Sequence, residues 1–224
     1  MLGIIGGTSL LDYSGSDLQK KLVQTPYGSS WIFSGEEFAL ILRHQFQKGP
    51  HLINYRSHIA ALKLSGVDRI ISFASTGSLN PDLKPGLRLV PDDFITLDPV
   101  PTIFNHSIGH ILPEFDIKMR KQLLNISPDT KDGGTYLQTS GPRLESKSEI
   151  TWMAIHADVV GMTLVNELSI SNEMKIPLAA VCTIDNYANG ICDVSISYES
   201  ILKTARENQK QTLELLFKIV SSGI

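Results

Sequence analysis

The chain has 224 residues, 42% of them hydrophobic and 19% charged, an ordinary globular composition that excludes a disordered or low-complexity polymer. Its 20 basic and 23 acidic side chains leave a formal charge of −3, so no basic field exists to collect nucleic acid or an anionic membrane non-specifically. Cys182 and Cys192 have no metal-ligand or redox spacing, no apolar window approaches the length of a membrane span, and "MLGIIGG" lacks the basic start of a secretion signal; a soluble cytoplasmic protein is expected.

From the N-terminus, "LGII" and "FALILRH" are predicted strands. "INYRSHIAALKLSG" is predicted helical, with Ile59, Leu62 and Leu64 apolar and Gly66 ending it. "VDRIISFAS" reads as a buried strand, followed by the turn-rich "TGSLNPDLKPG". "LRLVPDDFITL" is strand-like, and "GGTYLQTSGPR" is a strand entering a loop. "ESKSEITWMAIHA" has helical spacing at Ile150, Met153 and Ala157; then come a strand "ADVVGMTLV", a helix "NELSISNEMK" and a strand "IPLAAVCTID". From Ser197 to Val220 one long amphipathic helix is expected, through Ile201, Ala205, Leu213, Leu216 and Phe217. No repeat or linker divides the chain. The alternation predicts a single α/β domain over residues 1–224, a sandwich around a mixed, largely parallel sheet, with ligands at the carboxyl ends of the strands.

The glycine-rich stretch "GIIGGTSL" is neither a dinucleotide fingerprint, since Gly3, Gly6 and Gly7 have the wrong spacing, nor a Walker loop, since no lysine follows. Its two glycines permit close approach of a ligand, and Thr8 and Ser9 add hydroxyls suited to an oxyanion; alone, the stretch reads as a strand-end turn. Arg43 and His44 follow "FALIL", where arginine can recognise phosphate or simply belong to a basic surface loop. Ser75, Thr76 and Ser78 surround Gly77 at a strand end, and Met162, Thr163 and Glu167 follow "ADVV". Glu145 stands at an expected helix start, where an acid also complements the helix dipole. Asp185 and Asn186 are residues of the turn-forming type, yet an asparagine amide can both donate to and accept from a heterocycle edge. His106 and His110 lie four apart without an H-E-x-x-H pattern, so no metal is expected, and no G-x-S-x-G elbow supports a serine hydrolase. What carries weight is the recurrence of small polar clusters at strand ends.

Taken in order, these segments resemble the purine nucleoside phosphorylase family, in the branch that includes the 5′-methylthioadenosine phosphorylases. The family pattern runs GIIGGTG, RHG…PHxINYRAN, GSL…PGD, GTY…EGPRF[ES]…AE, ADVVGMT…PE and a TN/TD loop. This chain has "GIIGGTS", "RHQFQKGPHLINYRSH", "GSLNPDLKPG", "GGTYLQTSGPRLESKSE", "ADVVGMTLVNE" and "TIDNYANG". The resemblance implies a nucleoside phosphorylase-like three-layer fold, a homotrimer or dimer of trimers with sites completed across subunits, inorganic phosphate as co-substrate, and no metal or organic cofactor. By that likeness Thr8 holds phosphate with Arg43, His44, the Ser75–Thr76 turn and Thr163. Met162 underlies the ribose, Leu144, Tyr198 and His110 border the sugar and its 5′ pocket, and Glu145, Asp185 and Asn186 face the purine. The catalytic roles fall to Asn186, Glu145 and His44. Members with glutamate and asparagine at the two purine positions take 6-oxopurines, so phosphorolysis of inosine, guanosine or 5′-methylthioinosine is implied. A methylthioadenosine phosphorylase is the alternative if Asp185, where threonine is usual, reads the base. The missing second histidine after Arg43–His44, and Leu144 in place of phenylalanine, suggest a non-catalytic sensor as a further alternative.

Overall fold

A computed structural model describes residues 1–11, 13, 18–193 and 197–224. The apolar run at the N-terminus forms β1 (Leu2–Gly6), buried throughout, and passes into one 3₁₀ turn at Thr8–Leu10. A hairpin that the sequence pattern does not announce comes next, β2 (Gln19–Thr25) and β3 (Gly28–Ser34), and then β4 (Phe38–Leu42). Helix α1 (Tyr55–Leu64) is capped by Asn54, whose side chain accepts from the Ser57 N–H. Beyond it lie β5 (Arg69–Ser78), β6 (Arg88–Val90) and β7 (Asp93–Thr96). The single strand expected from "LRLVPDDFITL" is thus two, and they pair with different neighbours on either side of Pro91, which has no N–H to give a ladder.

The chain continues through helix α2 (Ile117–Ile126), β8 (Lys131–Asp132), β9 (Thr135–Gln138), α3 (Lys147–His156) and β10 (Val159–Gly161). "ADVVGMTLV" is strand only to Gly161, because α4 (Leu164–Glu173) already starts at Leu164. Then come β11 (Leu178–Tyr187), α5 (Tyr198–Glu207) and α6 (Gln209–Ser221). The expected single C-terminal helix is therefore broken at Asn208, whose ψ of −9° departs from the helix and whose side chain bonds Asp185.

All these strands join one mixed sheet, ordered β2-β3-β4-β1-β5-β10-β9-β7, with β11 branching from β5 and carrying β6 and β8. Two cores cover its faces. Alternate residues such as Ile5, Ile41, Ile70 and Cys182 meet α1 and α4, while Ile4, Leu40, Ile71, Phe73 and Val181 meet α2 and α6. This is a three-layer α/β sandwich, and the period of two along each strand assigns the faces.

One edge of β5 changes partners along its length. It pairs with β1 from Arg69 to Ser72 and with β10 at Gly77 and Ser78. Between those partners, residues 73–76 have no strand neighbour on that edge among the described residues.

Candidate active site

The polar clusters gather around this open edge. Gly7 packs so closely that an ideal Cβ there would stand 2.5 Å from Arg43 Nη1 and 2.7 Å from the Phe73 carbonyl oxygen, an approach only glycine allows. Thr8, half-buried, opens the 3₁₀ turn beside it. Arg43, just past β4, is 2% exposed. Its Nε and Nη2 donate to the two carboxylate oxygens of Glu167 on α4 (2.5 and 2.9 Å), Nη2 also donates to Ser72 Oγ (2.9 Å), and Nη1 donates to the Phe73 carbonyl (3.0 Å). Burial by itself would lower the guanidinium pKa, but Glu167 outweighs it and holds the charge firmly. The guanidinium fork belongs to Glu167, and one N–H on Nη1, the atom against Gly7, is left over.

His44 is half-buried, with Nδ1 2.9 Å from the Lys48 carbonyl. A carbonyl can only accept, so Nδ1 carries the hydrogen and Nε2 presents a lone pair while the ring is neutral. Burial, and then Arg43, lower its pKa and favour that neutral form. Thr163 precedes α4 without capping it. The first N–H groups of that helix turn instead to Tyr136 Oη (Thr163 and Leu164, 3.3 and 3.4 Å) and Gln138 Oε1 (Val165, 2.8 Å). The Thr163 hydroxyl is thereby not committed to its helix.

Where β11 runs beside the end of β5, a β-bulge determines the arrangement. Thr183 and Ile184 of β11 pair with Ser75 and Thr76, and Asn186 pairs with Gly77, so Asp185 is the extra residue. Ser75 and Gly77, two apart, share the sheet face of Ile71 and Phe73. Ser75 Oγ donates to Asp185 Oδ2, and Asn186 Nδ2 lies 3.3 Å from where a Gly77 Cβ would stand. Unbroken alternation would send Asp185 and Asn186 to opposite faces; the bulge brings both to the same one. Thr76 lies on the opposite face, that of Ser72, and its hydroxyl donates to the Thr183 carbonyl (2.9 Å).

Glu145 is buried and accepts from Thr139 Oγ1 at 2.6 Å. It stands one residue before the Ser146 cap of α3, so the acid in the first helical turn is Glu149. Asn189 Nδ2 donates to the Glu145 carbonyl (3.0 Å), which ties the loop after β11 to the Glu145 segment. A cleft of about 670 Å³, lined by Leu144, Glu145, Ser146 and Asn189 among others, opens beside them. Met162 Sδ packs against Gly141 on the approach to this region.

Of the residues expected at the sugar and its 5′ pocket, Leu144 lines the mouth of this cleft, half exposed, while His110 is exposed in the segment between β7 and α2 and the side chain of Tyr198 lies outside the described residues. Conversely, Glu167, Ser72, Gln138 and Asn189 hold the site together without having stood out as ligands. Only Glu167 had a visible signal, in "GMTLVNE". No group of three or more histidine, cysteine or acidic side chains suited to a metal occurs among the described residues.

A relative from Archaeoglobus fulgidus, named a probable 6-oxopurine nucleoside phosphorylase, is 38% identical and covers 98% of this chain and 96% of its own length. One from Methanocaldococcus jannaschii, named a probable S-methyl-5′-thioinosine phosphorylase, is 34% identical over 100% of this chain and 93% of its own. The methylthioadenosine phosphorylase of Schistosoma mansoni, solved with adenine, superposes with a TM-score of 0.89 at 22% identity, covering 98% of this chain and 90% of that one. The sequence pattern of the phosphorylase superfamily matches residues 2–221, and the chain belongs to that superfamily.

Proposed function

We propose that the protein is a phosphorolytic pentosyltransferase for 6-oxopurine nucleosides: inosine, guanosine or 5′-methylthioinosine. A phosphate oxygen bonds to the anomeric carbon as the bond from that carbon to the purine nitrogen breaks, giving free purine and ribose 1-phosphate or its 5-methylthio counterpart. Inorganic phosphate is the co-substrate, with no metal or organic cofactor. What supports the reading is a buried Glu145, an acceptor suited to the N1–H of a 6-oxopurine, on a segment that Asn189 ties to the loop following Asn186, whose amide suits O6 and N7. Adenine, with no N1–H, would leave the carboxylate poorly paired.

Phosphate would sit at the open edge of β5, against Thr8, the remaining Nη1–H of Arg43 and the hydroxyl of Thr163, with Ser75 beside it holding Asp185. His44 Nε2, a lone pair by virtue of the Lys48 carbonyl, would accept the P–O–H proton and sharpen the nucleophile. As the glycosidic bond breaks through an oxocarbenium-like state, Asn186 would stabilise the negative charge growing on the purine. The relatives' printed names support both the 6-oxopurine and the methylthio substrate. The protein would work in the cytoplasm as a homotrimer, or dimer of trimers, and the exposure of His110 and Leu144 leaves both open to a neighbouring copy that completes the 5′ pocket.

One observation favours methylthioadenosine phosphorolysis as a second reading. Asp185 shares the purine-facing side, and its Oδ1 is buried without a partner among the described residues. Purine release from inosine, methylthioinosine and methylthioadenosine, each with and without phosphate, separates the cases. Phosphate-dependent release from the two 6-oxo substrates is expected. Preference for methylthioadenosine would assign the base to Asp185, release without phosphate would make the protein a nucleosidase, and no release would favour a sensor.

A further inference from the structure

The buried carboxylate of Glu145 forms no ion pair among the described residues, although Arg143 stands two positions before it. Both terminal nitrogens of Arg143 donate to Glu149 instead (2.8 and 2.7 Å). Among those residues the one donor that reaches the Glu145 carboxylate is the Thr139 hydroxyl, 2.6 Å from Oε1. A carboxylate can only accept, and a hydroxyl has one hydrogen, so this bond commits Oε1 and leaves the lone pairs of Oε2 free. Thr139 is itself held firmly. It follows the last residue of β9, and its N–H donates to the Gly161 carbonyl of β10 (2.9 Å). It also approaches the acid from a different side than the larger cleft. Glu145 lines both the 670 Å³ cleft and a second cavity of about 360 Å³, whereas Thr139 lines only the second.

We propose, resting on the 6-oxopurine reading above, that Thr139 is a positioning residue for base selection: fixed to the sheet, it grips Oε1 of Glu145 from behind and turns Oε2 to meet the N1–H of a 6-oxopurine. A buried carboxylate deprived of its donor is destabilised, so without the hydroxyl the acid turns away or takes up a proton. Either way N1–H loses its acceptor. A protonated carboxyl would even donate to the bare N1 of adenine. Thr139 therefore governs which purine is preferred, through an atom that need not touch the base.

Calorimetric binding of the free bases hypoxanthine and adenine tests this without turnover. Thr139→Val keeps the shape of the side chain and removes the hydroxyl, and Thr139→Ser keeps the hydroxyl. In the valine variant the hypoxanthine Kd should rise about tenfold, the worth of a hydrogen bond to a charged group, while the adenine Kd stays within about twofold or falls. Serine should restore hypoxanthine binding. A merely structural role would weaken both bases alike and leave the ratio of their Kd values at that of wild type. In Glu145→Gln protein the valine change should add nothing to the ratio, because the group through which Thr139 acts is gone. If valine does not fold, Thr139→Ala carries the same comparison. A wild-type ratio in the hydroxyl-less variants, or a full effect of valine on top of Glu145→Gln, overturns the proposal. Wild-type protein that prefers hypoxanthine but shows no phosphate-dependent purine release overturns the phosphorolytic reaction and leaves the role of Thr139 standing. Wild-type protein that prefers adenine, or binds neither base, overturns the 6-oxopurine reading and the role of Thr139 with it.

Discussion

Burial pushes the Asp185 carboxyl up to about 6, against the hydrogen bonds from Ser75, Asn208 and Thr183 that favour its ionised form. In the unfolded chain an aspartate titrates near 3.9. Below about pH 4 both states are protonated, and the protonated carboxyl contributes its full stability. As pH rises towards about 6 the unfolded chain ionises first, so that contribution, about 3 kcal/mol, is lost through the folded pKa. Asp185→Asn keeps the shape and removes the titration. Urea denaturation at about pH 4 and about pH 7.5 should show the variant gaining on wild type by up to about 3 kcal/mol at the higher pH. An equal difference at both values would place the titration elsewhere. Next to it, Asn186→Asp exchanges an amide donor for a carboxylate that only accepts, which suits the N6–H group of a 6-aminopurine and not O6. The ratio of kcat/KM for inosine to that for adenosine should fall on the order of tenfold or more. An unchanged ratio would remove Asn186 from the purine site.

At the scale of elements, the site is made by the junction of β1 with its 3₁₀ turn, the end of β5 and the bulge in β11. Gly7→Ala would drive a methyl into Arg43 Nη1 and the Phe73 carbonyl, one of them backbone that cannot step aside. It should cost about 1–3 kcal/mol in denaturation. It should also raise the phosphate KM by displacing the Arg43 guanidinium; wild-type stability together with wild-type KM would show that the turn has room to spare. The same junctions explain what the sequence discloses. β1, β5 and β11 are legible because continuous apolar runs mark strands buried on both faces. The β2–β3 hairpin is not, because β2 carries only Val23 as a fully buried residue and its alternation is faint. Ile201, Ala205, Leu213 and Leu216 keep helical spacing across Asn208, so the break there, tied to Asp185 on another element, leaves no local trace. Motif order makes the candidate segments legible, and the structure sets Arg43 against the Gly7 turn and Asn186 beside Gly77 at the end of β5. The use of each group is not legible in that order: Arg43 meets Glu167 across 124 residues, and the bulge that turns Asn186 beside Asp185 is a property of pairing.

At the scale of the molecule, the proposed phosphate edge and purine face lie within one chain, but one flank is bare. The segment between β7 and α2 exposes Ile108 (98%) and Leu112 (86%) beside His110, and Leu144 stands uncovered at the mouth of the Glu145 cleft. Apolar side chains so placed are suited to burial against a second copy of the chain. If each site takes His110 from a neighbour and Asn186 from its own chain, the two residues can be disabled in different protomers. His110→Ala and Asn186→Ala oligomers should each be impaired when pure, because every site lacks one group. Refolded together, they should recover activity, since about a quarter of randomly assembled sites would join an intact Asn186 to an intact His110 from next door. The gain should be largest for substrates with a 5′-methylthio group, the end of the nucleoside that His110 would meet. Mixed oligomers no more active than the mean of the two pure variants would mean that His110 serves its own chain or none, and the site would then have to be complete within one subunit.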